Sequence, residues 1–218
     1  MRLVGILGGT FNPIHFGHLR MAQEIADAFE LSEVRFIPAA NPPHKHPPRV
    51  SATSRAEMVQ LAIKDNPLFQ LDTRELNRVG PSFTIDTLIS LKAEVSTDKN
   101  DPTALCLIMG SDAFVKFNTW HRWQEILDYC HITLVQRPFA SSNQTPLADE
   151  LAQLLQNHYT ENISDFQSQN AGFIHMQTIT SLSISSTAIR SSFESKHTPR
   201  YLMPESVISY IIANQLYI

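Results

Sequence analysis

Apolar and polar positions follow two rhythms along this chain. Short continuous apolar runs at Leu3–Leu7, Val34–Pro38, Phe69–Leu71, Ala104–Met109, Ile132–Val135 and Phe173–Met176 have the length and character of buried strands. Between them, apolar residues recur three and four positions apart. Leu19, Ala22, Ala26 and Phe29 share one face of a helix that starts after His15, and Ile85, Leu88, Ile89 and Leu91 do the same behind Pro81-Ser82-Phe83-Thr84. Ser54-Arg55-Ala56-Glu57 reads as a capping box opening a helix towards Asn66. Further helices are predicted over Pro146–Gln156, Ile184–Ser192 and Pro204–Asn214, with two short helical pieces around Trp120 and Trp123. The prolines of Asn41–Pro48 remove donors and fix φ, so that segment is a loop. From Phe139 to Asn170 the pattern is weakest.

Strands alternating with helices predict an α/β fold: a Rossmann-like, doubly wound, mainly parallel sheet with helices on both faces. No repeat or linker divides the chain, which reads as one domain over 1–218, with an α/β core over 1–180 and a small C-terminal helical part over 181–218. In such sheets the ligand sits beyond the carboxyl ends of the strands. The first apolar run stops at Gly8-Gly9, so the residues that follow lie where this rule expects a site.

Composition narrows the field. The chain has 218 residues, 43% of them hydrophobic and 17% charged, which is ordinary for a globular protein. Cys106 and Cys130 sit in or beside apolar runs and read as reduced core residues, which points to the cytoplasm; a disulfide between them is the alternative. No stretch is long and apolar enough to span a membrane. A net charge of −4 argues against nucleic acid as a partner but leaves room for a local positive site on one cleft.

Gly8 and Gly9 let a phosphate approach the backbone closely. The helix start near His15–His18 is expected to offer unpaired amides and a positive dipole end, and two imidazoles three residues apart lie on adjacent edges of one turn. A tight turn with a capping histidine is the plainer alternative. Half a zinc site completed by His44 or His46 is another. The segment is neither a Walker A loop nor Gly-x-Gly-x-x-Gly.

Gly8-Gly9-Thr10-Phe11-Asn12-Pro13, followed by His15-Phe16-Gly17-His18, resembles the first motif of the nucleotidyltransferase superfamily with the His-x-Gly-His signature. Ile184-Ser185-Ser186-Thr187-Ala188-Ile189-Arg190 resembles its Ser-x-Thr-x-x-Arg element. Pro42-Pro43-His44-Lys45, Pro81–Thr84, Gly110-Ser111-Asp112, Thr119-Trp120 and Leu202-Met203-Pro204 are similar, in order, to one branch: the bacterial nicotinate mononucleotide adenylyltransferases.

That resemblance implies transfer of AMP from ATP to nicotinate mononucleotide, giving deamido-NAD and pyrophosphate, with Mg2+ carried mainly on the ATP phosphates and no dedicated protein metal ligand. It implies catalytic roles for His15 and His18. Gly8, Gly9, Thr10, Phe11, Lys45, Ser186, Thr187 and Arg190 would bind ATP and its phosphates, and Thr84, Ile85, Gly110, Asp112, Trp120 and Arg137 the mononucleotide. Plainer roles stay open for several of these: a solvated loop lysine for Lys45, a helix cap and surface arginine for Ser186 and Arg190, a cap for Asp112, and core packing for Trp120. A nicotinamide mononucleotide or pantetheine-phosphate adenylyltransferase, a cytidylyltransferase or a non-catalytic nucleotide sensor are the alternative functions, and a monomer or small homo-oligomer is expected.

Overall fold

The computed structural model describes residues 1–42, 48–95, 102–136 and 146–218. Each of the six apolar runs is a strand: β1 (Arg2–Gly9), β2 (Glu33–Pro38), β3 (Phe69–Leu71), β4 (Thr103–Gly110), β5 (His131–Gln136) and β6 (Ile174–Thr178). They form one sheet in the order β3-β2-β1-β4-β5-β6, and every pairing is parallel. The chain builds outward from β1 through β2 to β3, then returns to lay β4 on the other side of β1. The order reverses there, and a crevice opens beyond the carboxyl ends of β1 and β4.

The helices are α1 (Phe16–Ala28), α2 (Ala52–Ile63), α3 (Thr84–Val95), α4 (Ser111–Phe114), α5 (Ile126–Tyr129), α6 (Asp149–His158), α7 (Asp165–Ser168), α8 (Ser186–Glu194) and α9 (Glu205–Ala213). Alternation along the strands divides the core in two. Leu3 and Leu7 of β1 with Cys106 and Ile108 of β4 face α1, α2, α8 and α9. Val4 and Ile6 with Leu105, Leu107 and Met109 face α3, α5 and α6. Residues 181–218 thus share the first of these cores through Ile189, Phe193, Val207 and Ile211. Both cysteines are buried free thiols, and burial pushes Cys106 up to about 12. No helix among the described residues is long and apolar enough to cross a membrane.

Three expectations are corrected. The first strand does not stop at Gly8-Gly9 but runs through them, because both pair with β2, opposite Ile37 and Pro38. The second helix opens earlier than the expected capping box: Ser51 is its cap, accepting from the Ser54 amide at 3.0 Å. That start carries Arg55 inward, where it is buried. In the weakly patterned region the short helix α7 forms around one buried anchor, Phe166, which leaves too few apolar positions to show a period.

Candidate active site

A cavity of about 450 Å³ occupies the crevice. Gly8, Gly9, Thr10 and His18 line one part of it, with Gly110 at the end of β4. Thr84 and Thr87 of α3, together with Trp120, form another stretch of the same wall. One space therefore joins residues drawn from both halves of the sheet.

The start of α1 differs from the expectation of unpaired amides. His15 is the N-cap: its Nδ1 accepts from the Gly17 amide at 3.1 Å and its carbonyl from the His18 amide at 2.9 Å. The Phe16 amide donates to the Leu202 carbonyl at 3.0 Å. These groups are consumed within the protein, so the His18 imidazole rather than the helix amides faces the cavity from this turn. His18 closes a reciprocal box, its Nδ1 accepting from the His15 amide at 3.3 Å. Acceptance at Nδ1 puts the proton of each neutral ring on Nε2, making it a donor. The two rings stack with centroids 3.8 Å apart, His15 buried and His18 on the cavity wall.

Rings and glycines interlock around this pair. Phe11, buried at φ 46°, meets the His18 ring edge-on at 5.2 Å. A Cβ on Gly9 would lie 3.0 Å from the Phe11 ring, and one on Gly17 would lie 3.0 Å from the His15 ring. Both glycines are thus the space that a ring fills. The second motif braces the same loop from α8. Arg190 Nη1 donates to the Asn12 carbonyl at 2.8 Å, and the Ser186 hydroxyl to the Pro13 carbonyl at 2.9 Å. Ser186 and Thr187 are the first two residues of α8, capped by Ser185, as the expected helix start required. None of Ser186, Thr187 and Arg190 is on the cavity wall.

On the other part of the wall, Trp120 packs its inner side on Phe117, with ring centroids 5.4 Å apart. It thus packs on its neighbour and also lines the cavity. Trp123 also packs on Phe117, edge-on at 5.9 Å, and does not reach the cavity. The Ile85 side chain is in the core, so only its backbone faces outward among the residues that open α3. Gly110, not Asp112, is the N-cap residue of α4. Asp112 is exposed, and its carboxylate stands so close to Gly110 that any Cβ there would collide with it. Lys45, Arg137 and the histidines His44 and His46 lie outside the described residues. Among the described residues no group of three or more His, Cys, Asp or Glu is arranged to hold a metal ion.

The cytidylyltransferase-like family model matches residues 6–192. This chain belongs to that family. Within it, the chain is 46% identical over 217 residues to a protein of Hydrogenovibrio crunogenus named probable nicotinate-nucleotide adenylyltransferase, covering 99% of this chain and 98% of the relative. A relative of the same name from Pseudomonas entomophila is 44% identical over 217 residues, covering 100% and 95%. These relatives place the chain in the nicotinate-nucleotide adenylyltransferase branch. A solved structure of Plasmodium falciparum nicotinic acid mononucleotide adenylyltransferase complexed with NaAD superposes at a TM-score of 0.70 with 16% identity, covering 100% of this chain and 98% of that one. That likeness concerns the fold.

Four residues of this cytidylyltransferase-like site escaped the sequence reading. Arg55 is buried, with no carboxylate partner among the described residues; its guanidinium donates to the carbonyls of Thr10 at 2.6 Å and Ala39 at 2.7 Å, tying the end of β1 to the end of β2. Its inward phase with Met58, Val59 and Ile63 was a usable signal. Glu75 is buried at the cavity wall, and burial raises its pKa above the usual glutamate value. Lys116 and His121 line the cavity near Trp120, His121 stacking on Phe83 at 4.3 Å. Their place beside Trp120 was the available clue.

Proposed function

We propose that this chain transfers AMP from ATP to nicotinate mononucleotide, releasing pyrophosphate and forming deamido-NAD, a step of NAD biosynthesis. The observation that carries this reading is the shared cavity, where His18, Gly9 and Thr10 meet Thr84 and Trp120. The mononucleotide phosphate is already anionic at neutral pH, so an oxygen of it attacks the ATP α-phosphorus directly. The bond to the pyrophosphate oxygen breaks as the new P–O bond forms. No protein nucleophile and no general base is needed.

The chain's task is to align two polyanions and to meet the charge that develops on them. His18, with His15 stacked beneath it, offers Nε2–H to the ATP phosphates, and Gly8, Gly9, Thr10 and Phe11 shape the backbone there. Arg190, Thr187 and the amides that open α8 stand behind the loop they brace, off the cavity wall, and would reach the phosphates at its edge, while the Ser186 hydroxyl is committed to holding the loop. Lys45 adds charge from its loop. The donors on this wall suit phosphate oxygens rather than a bare cation, which fits Mg2+ arriving on ATP; it would supply charge for the pyrophosphate, while these residues hold the phosphates. For the mononucleotide, Trp120 supplies a flat face for the pyridine ring, the backbone of Thr84 and Ile85 meets the nicotinate carboxylate, and Gly110, Asp112 and Arg137 contact the nucleotide's ribose side. We read residues 1–218 as one catalytic domain, a cytoplasmic monomer or small homo-oligomer with no nucleic-acid or membrane partner.

The test is a side-by-side rate measurement with Mg2+ and ATP on nicotinate and nicotinamide mononucleotides. Deamido-NAD is expected to form much faster than NAD. Equal rates overturn the substrate assignment, and binding of ATP without turnover of either substrate favours a sensor.

A further inference from the structure

Glu75 is the one carboxylate among the described residues of the cavity wall, and its hydrogen-bond partners leave it little choice of role. The Ser82 hydroxyl oxygen accepts from the amides of Ala40 at 3.0 Å and Asn41 at 3.1 Å. Ser82 shares the cavity wall with Glu75, where its hydroxyl favours the ionised carboxylate. Thr87 Oγ1 accepts from Arg78 Nη1 at 3.2 Å and donates to Glu75 Oε1 at 2.7 Å. Both hydroxyls therefore favour an ionised Glu75. A carboxylate accepts both, whereas a carboxylic acid directs its own proton at one of them.

This carboxylate also completes a path across the cavity. Arg55 holds the Thr10 carbonyl and the Ala39 carbonyl. The neighbouring amides of Ala40 and Asn41 bind Ser82, Ser82 lies with Glu75 on the cavity wall and favours its ionised form, and Glu75 accepts from Thr87, one turn beyond Thr84 on α3. The segment that opens α3 is fastened in this way to the strap leaving β2, and through it to the phosphate side.

We propose that ionised Glu75 is the positioning residue of the mononucleotide half: it clamps Ser82–Thr84 and α3 to the β2 strap, so that protonating or neutralising it loosens the acceptor subsite without altering the phosphate side. The inference rests on the adenylyltransferase reading above. It makes acceptor binding pH-dependent. Burial raises the pKa of Glu75, while the Thr87 and Ser82 hydroxyls and the charge of Arg78 lower it and the charge of Asp72 raises it. His18, Lys116 and His121 are the other titratable groups on the described cavity wall.

The test compares wild type, Glu75→Gln and Thr87→Val, each with Mg2+ and ATP, by steady-state kinetics in nicotinate mononucleotide from acidic to mildly alkaline pH, with thermal melting as a check on folding. At neutral pH, Glu75→Gln is expected to raise KM for the mononucleotide about tenfold, the loss of one charge-assisted clamp, with KM for ATP within about twofold. The ratio of wild-type to Gln-variant kcat/KM, in which substrate titration cancels, is expected to fall towards unity as pH drops and Glu75 takes up a proton. Thr87→Val removes a bond to the ionised form and is expected to move the wild-type acid limb to higher pH. Unchanged mononucleotide KM, equal rises in both KM values, or a pH-independent ratio overturns the proposal. Should the Gln variant fail to fold, an acid limb unmoved by Thr87→Val overturns it equally. A wild type that does not turn over nicotinate mononucleotide fails a different claim, the functional reading itself.

Discussion

The Tyr217 hydroxyl donates to Asn12 Oδ1 at 2.6 Å, across 205 positions of sequence. Asn12 stands between Phe11 and the Pro13 carbonyl that Ser186 holds, so the far end of the chain reaches the first motif directly. Burial raises the Tyr217 pKa, which keeps the hydroxyl protonated and donating. Tyr217→Phe is expected to lower kcat about fivefold, the value of one partly buried hydrogen bond, while the mononucleotide KM changes little. Steady-state kinetics check this, and an unchanged kcat means that Arg190 and Ser186 hold the loop unaided.

His18→Ala removes the imidazole that faces the cavity. Loss of one preorganised donor costs about 2.7–4 kcal/mol in barrier, a drop in kcat of roughly 10²–10³-fold. The fold loses the box bond to the His15 amide and the ring contacts with Phe11 and His15, from a side chain that is itself only half-buried, so the melting temperature should stay within a few degrees. A collapse of folding assigns His18 a structural part instead.

Arg55→Lys keeps the charge but loses the fork that spans two carbonyls. A destabilisation of about 3 kcal/mol is expected from two half-buried carbonyls left without donors, or roughly 6–12 °C in Tm for a chain of this size. Calorimetry of the variant measures it. A loss below about 1 kcal/mol means that water or the lysine ammonium reaches both carbonyls.

His131 supplies a pH test of stability. It is buried at the start of β5, where Nδ1 accepts from the Phe173 amide at 3.1 Å and Nε2 faces the Gln169 carbonyl at 2.9 Å. Desolvation lowers its pKa from 6.5 to about 4. Between these values the unfolded chain binds a proton that the folded chain does not, so stability falls as pH drops from 6.5 towards 4 and is fully present above 6.5. The loss attributable to this residue approaches about 3 kcal/mol at the acid end. Denaturation midpoints of wild type and His131→Asn across this window isolate it: the difference between the two should shrink steadily as pH falls. A constant difference contradicts the assignment.

Most of the sheet was legible because its signals are local. A strand buried on both faces must be apolar at every position, so Leu105 through Met109 announce themselves. The two motifs were legible for the same reason, each lying within one turn or loop. What escaped depends on partners distant in sequence. Whether Gly8 and Gly9 end a strand or extend it is decided by their pairing with Ile37 and Pro38. At the start of α1 a capping histidine was a local possibility, and His15 takes the Gly17 amide, but nothing nearby announced that the Phe16 amide finds Leu202. Glu75 carries no periodic or motif signal at all; its role comes from Ser82 and Thr87 and exists only after folding.

The nested rings of the first motif bear on how this segment can vary. Gly9 admits Phe11, Phe11 abuts His18, His18 lies on His15, and His15 fills the space over Gly17. Enlarging either glycine displaces a ring, and the displaced ring disturbs the next. Single exchanges within Gly9–His18 should therefore be rejected more uniformly than the exposure of the individual residues suggests, and a mutational scan should show the segment tolerating replacement as a block or hardly at all.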